Sequence, residues 1–316
     1  MKERTSRWAR FRHAVEYAVF RAVETAAMSL PRAAALAFGE GLGRFLYRLG
    51  SSRTRIAREN FGVAFPGADV AWREATLEAA FGHFGRLAIE IIRMPRDVRG
   101  DNWAGHAALK GLDVIAAERA AGHAVILAGG HLGNWELAAR VCSFAGLPIL
   151  AIARPINNPH LEEYFTRVRA VSGQRIVTKH GGMRAVVAEV RREKGVLAIL
   201  VDQDARHAGV FVEFFGRLAS TTPTPALLAV RHGAVVVPFR LVRGRNGRYA
   251  MEVIEVLRPR ADLPEDEAIL DLTRRYTKAV EEAVRANPEQ YLWMHKRWKT
   301  RPQEGPRRGP PTEAGS

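Results

Sequence analysis

Hydrophobic positions change period along this chain. Phe11, Val15, Val19 and Val23 recur four apart, with Ala18, Ala22 and Ala26 beside them. That spacing predicts a helix from about residue 11 to 30, ended or kinked by Pro31. A second apolar helix is expected over 33–49, interrupted by Glu40, Arg44 and Arg48, and a polar helix begins at Ser51. After a turn at Phe65-Pro66-Gly67, the spacing of Trp72, Leu77, Phe81, Phe84, Ala88 and Ile91 predicts one long helix over 71–94. Past Pro95 the pattern alternates. Short apolar runs predict strands over 124–128, 149–153, 196–201, 235–241 and 249–256, and helical spacing predicts helices over 135–144, 159–171, 183–193, 225–231 and 268–286. Alternation of this kind predicts an α/β fold, with a mainly parallel central sheet flanked by helices and preceded by amphipathic N-terminal helices. The expected organisation is basic N-terminal helices over 1–50, an α/β domain over 51–300, and a disordered Pro- and Gly-rich tail over 301–316.

Charge narrows the range of partners. The 316 residues carry a formal net charge of +15, most of it from arginine. Such an excess suits nucleic acid, an anionic membrane surface, or an acidic carrier and phosphorylated substrate; an arginine-rich compositional bias is the plainer reading. Nucleic acid is set aside: the chain lacks zinc-finger spacing and the aromatic RNA-binding strand signature, and its basic residues are spread out. The single cysteine, Cys142, excludes an internal disulfide and any multi-cysteine metal site, and its apolar helical setting predicts a buried, inert thiol.

The N-terminus is basic, with Lys2, Arg4, Arg7, Arg10 and Arg12, but no uninterrupted run of 18 apolar residues follows. Glu16, Arg21 and Glu24 also argue against a signal peptide. The first helix therefore either lies in the interface of an anionic leaflet or packs on the core as an ordinary amphipathic helix. Gly39-Glu40-Gly41-Leu42-Gly43 has the wrong spacing for a dinucleotide fingerprint and predicts a helix–helix contact or a bend. Neither a phosphate-binding loop nor a Gly-x-Ser-x-Gly elbow is present, which lowers the case for an NTPase or serine hydrolase.

The densest chemistry lies in Ala128-Gly-Gly-His131-Leu-Gly-Asn-Trp-Glu136, where an apolar strand gives way to a helix. A histidine there is rigidly held near a helix N-terminus, as acyl transfer to a hydroxyl requires: His131 as general base, and amides around Gly133 and Asn134 for the oxyanion. Gly129 and Gly130 are expected to let the backbone turn and to admit a ligand. Positions five apart lie about 140° apart around a helix, so Glu136 reaches His131 only if His131 precedes the helix proper. The bland reading is a surface contact, with Asn134 a simple cap. Arg154 follows the strand over 149–153 and suits an acceptor phosphate, with Asn158 holding its loop. Asp202, Gln203 and Asp204 end the strand over 196–201 and are expected near the site, orienting His131 or hydrogen-bonding a sugar; no metal is expected. Phe211, Phe214 and Phe215 either line an acyl channel or belong to the core. Tyr291, Trp293 and Trp298, interleaved with Lys296, Arg297 and Lys299, suit headgroup depth or docking onto the sheet.

The first motif, as it stands here, resembles that of the late acyltransferases of lipid A biosynthesis (lauroyl and myristoyl type), relatives of the phosphatidylinositol mannoside acyltransferases and other lysophospholipid acyltransferases. Ala153-Arg154-Pro155-Ile-Asn-Asn158-Pro159 is similar to the family's second motif. Val201-Asp202-Gln203-Asp204, with Val210 to Gly216, resembles the third, and Val236-Val237-Pro238 the fourth. Glu289 to Lys299 resembles the C-terminal signature. The resemblance implies a glycerolipid acyltransferase-like fold and transfer of a fatty acyl group from a thioester to a hydroxyl of a glycolipid, foremost a lipid A precursor. His131 and Glu136 would form the catalytic dyad. Asn134, Arg154, Asn158, Asp202 and Gln203 would bind substrate, and Gly133 and Asn134 would offer oxyanion amides. No cofactor is implied beyond the thioester co-substrate, carried on acyl carrier protein or coenzyme A. The implied location is the cytoplasmic face of the bacterial inner membrane, peripheral or monotopic. This chain has Glu213 where the family often has Pro, and Thr222-Pro-Thr224-Pro225 for its Thr-x-Thr-Gly, which bears on substrate identity. The alternatives are a mannosylated phosphoinositide as acceptor, a thioesterase using the same pair on water, and a non-catalytic membrane adaptor.

Overall fold

A computed structural model describes residues 7–147, 149–153, 156–178, 182–192 and 195–302. Arg154, Lys2, Arg4 and the tail from residue 303 onward lie outside them. Four helices come first: α1 (Arg7–Ser29), α2 (Arg32–Arg48), α3 (Ser52–Ala64) and α4 (Val70–Asp97). A short α5 (Trp103–His106) leads into β1 (Ala107–Lys110), and α6 (Leu112–Ala120), β2 (Val125–Gly129), α7 (Trp135–Phe144), β3 (Ile149–Ala153) and α8 (Pro159–Ala170) follow. The remainder runs β4 (Arg175–Thr178), α9 (Gly182–Arg192), β5 (Val196–Leu200), β6 (Val210–Phe214), β7 (Arg217–Thr221), α10 (Thr224–His232), β8 (Val235–Arg243), β9 (Tyr249–Val253) and α11 (Glu265–Ala286). Seven strands form one sheet in the order β1-β9-β8-β2-β5-β3-β4, parallel throughout except for β8 against β9.

Side chains of the central strands enter two cores alternately because successive residues point to opposite faces. Ile126, Ala128, Leu197 and Ile199 join a core with α3, α9, α10, α11 and the start of α4. Val125, Leu127, Val196 and Val237 join a second core with α6, α7 and the end of α4. Both faces are covered, so these strands read as continuous apolar runs. The expected α/β architecture is the one observed.

Two strand pairs escaped the hydrophobic pattern. β1 and β4 are four-residue edge strands, too short to show a period. The β6–β7 hairpin turns on Phe215 and Gly216, both left-handed (φ 55° and 71°), a Phe-Gly pair in place of the usual Asn-Gly. Phe214 and Phe215 of this hairpin are buried among Trp293, Tyr291 and Trp298, so they are core and not an acyl channel. Tyr291, Trp293, Arg297 and Trp298 are buried as well; the C-terminal segment docks onto the domain instead of lying at headgroup depth.

α2 crosses α4 at glycines, as the Gly39–Gly43 spacing predicts. A Cβ on Gly43 would lie 2.1 Å from the Phe81 carbonyl oxygen, and one on Gly85 would lie 2.1 Å from that of Gly39. α1 is tied to α8 through Tyr164, whose hydroxyl donates to Glu24 (2.5 Å), and through Asn158. The apolar stripe of α1 faces away from the core: Phe11 is 60% exposed and Val19 57%, with Trp8, Val15 and Val23 beside them. Phe38, Leu42, Phe45, Leu46 and Leu49 continue the exposed apolar surface on α2. Among the described residues, no helix is long and apolar enough to cross a membrane.

Candidate active site

β2 and β5 are parallel neighbours in the register Val125↔Val196 through Gly129↔Leu200. Continued two residues past the strand ends, that register sets His131 beside Asp202. Asp202 accepts from the His131 backbone amide through Oδ2 (2.7 Å) and from the imidazole Nδ1 through Oδ1 (2.7 Å). A carboxylate only accepts, so Nδ1 carries a proton and Nε2 of the neutral ring presents a lone pair. The Gln203 side-chain amide donates to that Nε2 (3.2 Å). Trp135 packs edge-on against the imidazole at 4.8 Å between centroids.

Asp202 is buried, and burial alone would raise its pKa. The electrostatic attraction of the His131 ring, the two hydrogen bonds from His131 and the nearby Arg297 guanidinium outweigh this and hold the carboxyl below its ordinary range. Arg297 is itself buried behind the site. Its guanidinium donates to the carbonyls of Gln203 (3.2 Å) and Ser220 (2.6 Å) and to Thr221 Oγ1 (2.5 Å). The sequence left Arg297 open between a lipid surface and docking onto the sheet, and gave no sign of this backing of Asp202. Tyr291, buried against the same carboxylate, keeps its phenol protonated.

Glu136 has a different partner from the one expected. Both of its carboxylate oxygens accept from Arg169 of α8 (3.0 and 2.6 Å), and Asp202 occupies the imidazole Nδ1 that Glu136 was expected to orient. The reason is positional: α7 begins at Trp135, so Glu136 sits in its first turn, one residue into the helix, facing α8. It still lines the same cavity as His131.

Gly133 and the Asn134 side chain, in the turn between His131 and α7, are engaged in structure. Gly133 has φ +62°, and a Cβ there would lie 1.7 Å from the Leu241 carbonyl oxygen. Its amide donates to the Gln290 carbonyl (3.0 Å), so it is not a donor for an oxyanion. Asn134 is buried; its Oδ1 caps α7 at Leu137 N (2.9 Å) and its Nδ2 donates to Glu90 (3.0 Å), which leaves no side-chain group for substrate. Glu90 also accepts from the Tyr249 hydroxyl (2.6 Å). Gly129 and Gly130 make room for Phe239, Val280 and Asp202 instead of a ligand. Asn158 caps α8 and donates to the His13 carbonyl (2.8 Å) and Glu16 (3.0 Å); it ties α1 down and does not line the cavity.

His83 completes the support of this turn. Its Nε2–H donates to the Gly133 carbonyl (3.1 Å), and its Nδ1 accepts from Arg243 (3.4 Å). Burial is the main cause that lowers its pKa to about 4. The unfolded chain takes up the proton near pH 6.5, but the folded chain does so only near 4, so stability falls as pH drops through that window, by roughly 3 kcal/mol at its lower end. Urea denaturation at pH 7 and 4.5 should show this loss in the wild type and a smaller one in His83→Gln.

His131 opens into a cavity of about 570 Å³ between α7 and the sheet, within the usual range for a ligand site. Trp135, Ala138, Ala139 and Cys142 line it along α7, a run of about 10 Å at the helical rise. Ala151, Ala198 and Met251 line it from the sheet, and Gln203, Thr222 and Thr224 lie toward the polar end. Cys142 is held by burial at a pKa of about 12, an unreactive thiol in the apolar wall. Neither departure from the motif pattern lines the cavity: Glu213 is exposed on β6, and in Thr222-Pro-Thr224-Pro225 it is the two threonines that line it, with Pro225 buried beside them.

A His–Asp pair at adjacent parallel strand ends, beside a cavity walled largely by small apolar residues, makes this an α/β protein with a histidine-lined ligand site. The sequence comparisons give the class its family. Residues 4–300 match the family described as bacterial lipid A biosynthesis acyltransferase, and the chain belongs to that family and is an acyltransferase. It is 28% identical over 272 residues to a lipid A biosynthesis acyltransferase of Haemophilus influenzae, covering 84% of each chain. It is 30% identical to the lipid A biosynthesis myristoyltransferase of Escherichia coli, over 82% of this chain and 79% of the relative. To the lauroyltransferase of the same organism it is 27% identical, over 89% and 90%.

Proposed function

We propose that the protein transfers a fatty acyl group from a thioester to a hydroxyl of a lipid A precursor, with His131 as general base and Asp202 as its orienting partner. The observation that carries this reading is the Asp202–His131 contact, which leaves Nε2 unprotonated at the mouth of an apolar cavity. The acceptor hydroxyl approaches Nε2, loses its proton as its oxygen attacks the thioester carbon, and Asp202 stabilises the imidazolium that forms. The thiolate leaves and takes the proton from Nε2, so the ring is regenerated without a covalent enzyme intermediate. The apolar cavity below His131 accepts the acyl chain and keeps water from the thioester. Glu136, paired with Arg169, is the charged edge of that cavity and holds α7 to α8 near the acyl carbon. Arg154, which lies outside the described residues, is proposed to bind an acceptor phosphate. The thioester is a co-substrate, carried on acyl carrier protein or coenzyme A, and no metal or other cofactor takes part.

The exposed stripes of α1 and α2 support attachment to the cytoplasmic face of the inner membrane, with arginines beside them for an anionic leaflet. Each apolar residue inserted adds to partition, so Val19→Glu together with Phe38→Glu should reduce binding to anionic vesicles by about tenfold or more, while the melting temperature changes little. Unchanged sedimentation with vesicles would refute attachment by this surface. The acceptor is tested in cells. Mass spectrometry of lipid A from a deletion strain should show loss of one acyl chain, restored by the wild-type protein. Unaltered lipid A alongside a changed phosphoinositide or phospholipid would place the acceptor elsewhere.

A further inference from the structure

The proposed reaction passes through a tetrahedral intermediate whose oxyanion needs a donor, and three amide groups close to His131 in sequence have other partners. Gly133 N–H donates to the Gln290 carbonyl, His131 N–H to Asp202, and the Asn134 side-chain amide to Glu90. The Gln203 side chain is placed differently. It lines the cavity, and its Nε2 stands 3.2 Å from the imidazole Nε2. A primary amide has two N–H groups, and one of them suffices for that contact. Its main chain is also fixed: the preceding residue, Asp202, binds His131 twice, and the Gln203 carbonyl accepts from buried Arg297 (3.2 Å).

We infer that the side-chain amide of Gln203 is the oxyanion donor of this acyltransferase, a reading that rests on His131 acting as the base. In the resting site the amide caps the lone pair of Nε2. The acceptor hydroxyl takes that position, and the displaced amide remains beside the atom under attack. The attacking oxygen hydrogen-bonds Nε2 at about 3 Å, and the thioester carbonyl oxygen is one bond beyond the carbon it attacks. A nitrogen that rests 3.2 Å from Nε2 and is displaced only by the hydroxyl can swing to hydrogen-bond distance of that oxygen. In the step itself the hydroxyl oxygen forms the new C–O bond and its proton passes to Nε2. The carbonyl electron pair moves onto oxygen, where the Gln203 N–H donates to it. Collapse re-forms the carbonyl and breaks the C–S bond, and the thiolate takes the proton from Nε2, giving ester and thiol. A neutral amide beside this oxygen stabilises the developing charge without adding a net charge next to the histidine.

The test compares two reactions of the purified full chain: transfer to a lipid A precursor, and the slow hydrolysis of the acyl thioester without acceptor. Both form the same oxyanion; only transfer uses the acceptor. Gln203→Ala should lower kcat for transfer by about 10²–10³-fold, lower hydrolysis by a similar factor, and leave the acceptor KM within about threefold. Gln203→Glu, which offers only an acceptor to the oxyanion, should be impaired at least as much. Gln203→Asn keeps the amide but withdraws it by one methylene, so a loss of kcat there, with a native melting curve, supports the same role should the alanine variant fold poorly. The inference is overturned if Gln203→Ala raises the acceptor KM with kcat intact, loses transfer while keeping hydrolysis, or leaves both rates unchanged. Failure of the base reading looks different: His131→Ala would keep transfer, whatever Gln203 does.

Discussion

His131→Ala should reduce acyl transfer by at least about 10³-fold at saturating substrates while the protein stays folded. General base catalysis by a positioned histidine is worth about 10²–10⁴-fold, and here the same ring also returns the proton to the leaving thiolate. Alanine removes the imidazole but keeps the backbone amide that binds Asp202 Oδ2, and Arg297 still faces the carboxylate. The loss therefore belongs to chemistry: circular dichroism and thermal melting should remain near wild type while kcat falls. A variant that retained more than about a tenth of wild-type kcat would remove His131 from the mechanism.

Asp202→Asn is expected to cost about as much, for a reason that can be drawn from two hydrogen bonds. Asp202 offers one oxygen to the His131 amide and the other to Nδ1–H. An asparagine has a single acceptor oxygen. If that oxygen keeps the backbone amide, the NH2 group faces Nδ1 and drives the proton to Nε2, which then has no lone pair for the acceptor hydroxyl. The corresponding change in serine protease triads costs about 10⁴-fold in kcat; a loss of about 10³-fold or more is expected here. The depressed pKa of Asp202 also links it to stability. Its contribution is fully present above the ordinary carboxylate range and is lost as pH falls through the lower folded-state value, so wild type and Asp202→Asn should converge in stability only in strong acid. Nitrogen NMR of the imidazole reads the tautomer directly: Nδ1–H in the wild type, Nε2–H in the variant.

The two halves of this site were unequally legible in the sequence. His131 stands out locally, because a strand, two glycines and a helix start bracket it. Asp202 was visible as a strand-end acid, but its pairing with His131 depends on β5 lying beside β2, and those strands are not consecutive in the chain. Local reading instead favoured Glu136, the acid nearest in sequence; Arg169, thirty-three residues on, claims it. Gly133 suggested a free amide, and only the fold shows Gln290 reaching it from the C-terminal segment. That segment was also the hardest to read. Its aromatics and cations fit an interface pattern equally well, yet Trp293 is 1% exposed and Arg297 is sealed beneath Asp202. The long helices, the five clearest strands and the apolar stripe of α1 followed from the hydrophobic pattern alone, since each is long or apolar enough to show one, whereas the outward facing of that stripe did not.

The central claim is that this chain uses His131 and Asp202 to move an acyl group onto a lipid hydroxyl and not onto water. The most direct measurement follows a labelled acyl thioester through purified protein, with and without an underacylated lipid A precursor. The account predicts label in a lipid product heavier by one ester-linked acyl chain, formed only with acceptor and absent from His131→Ala. Label appearing as free fatty acid at a rate that ignores the acceptor would contradict it.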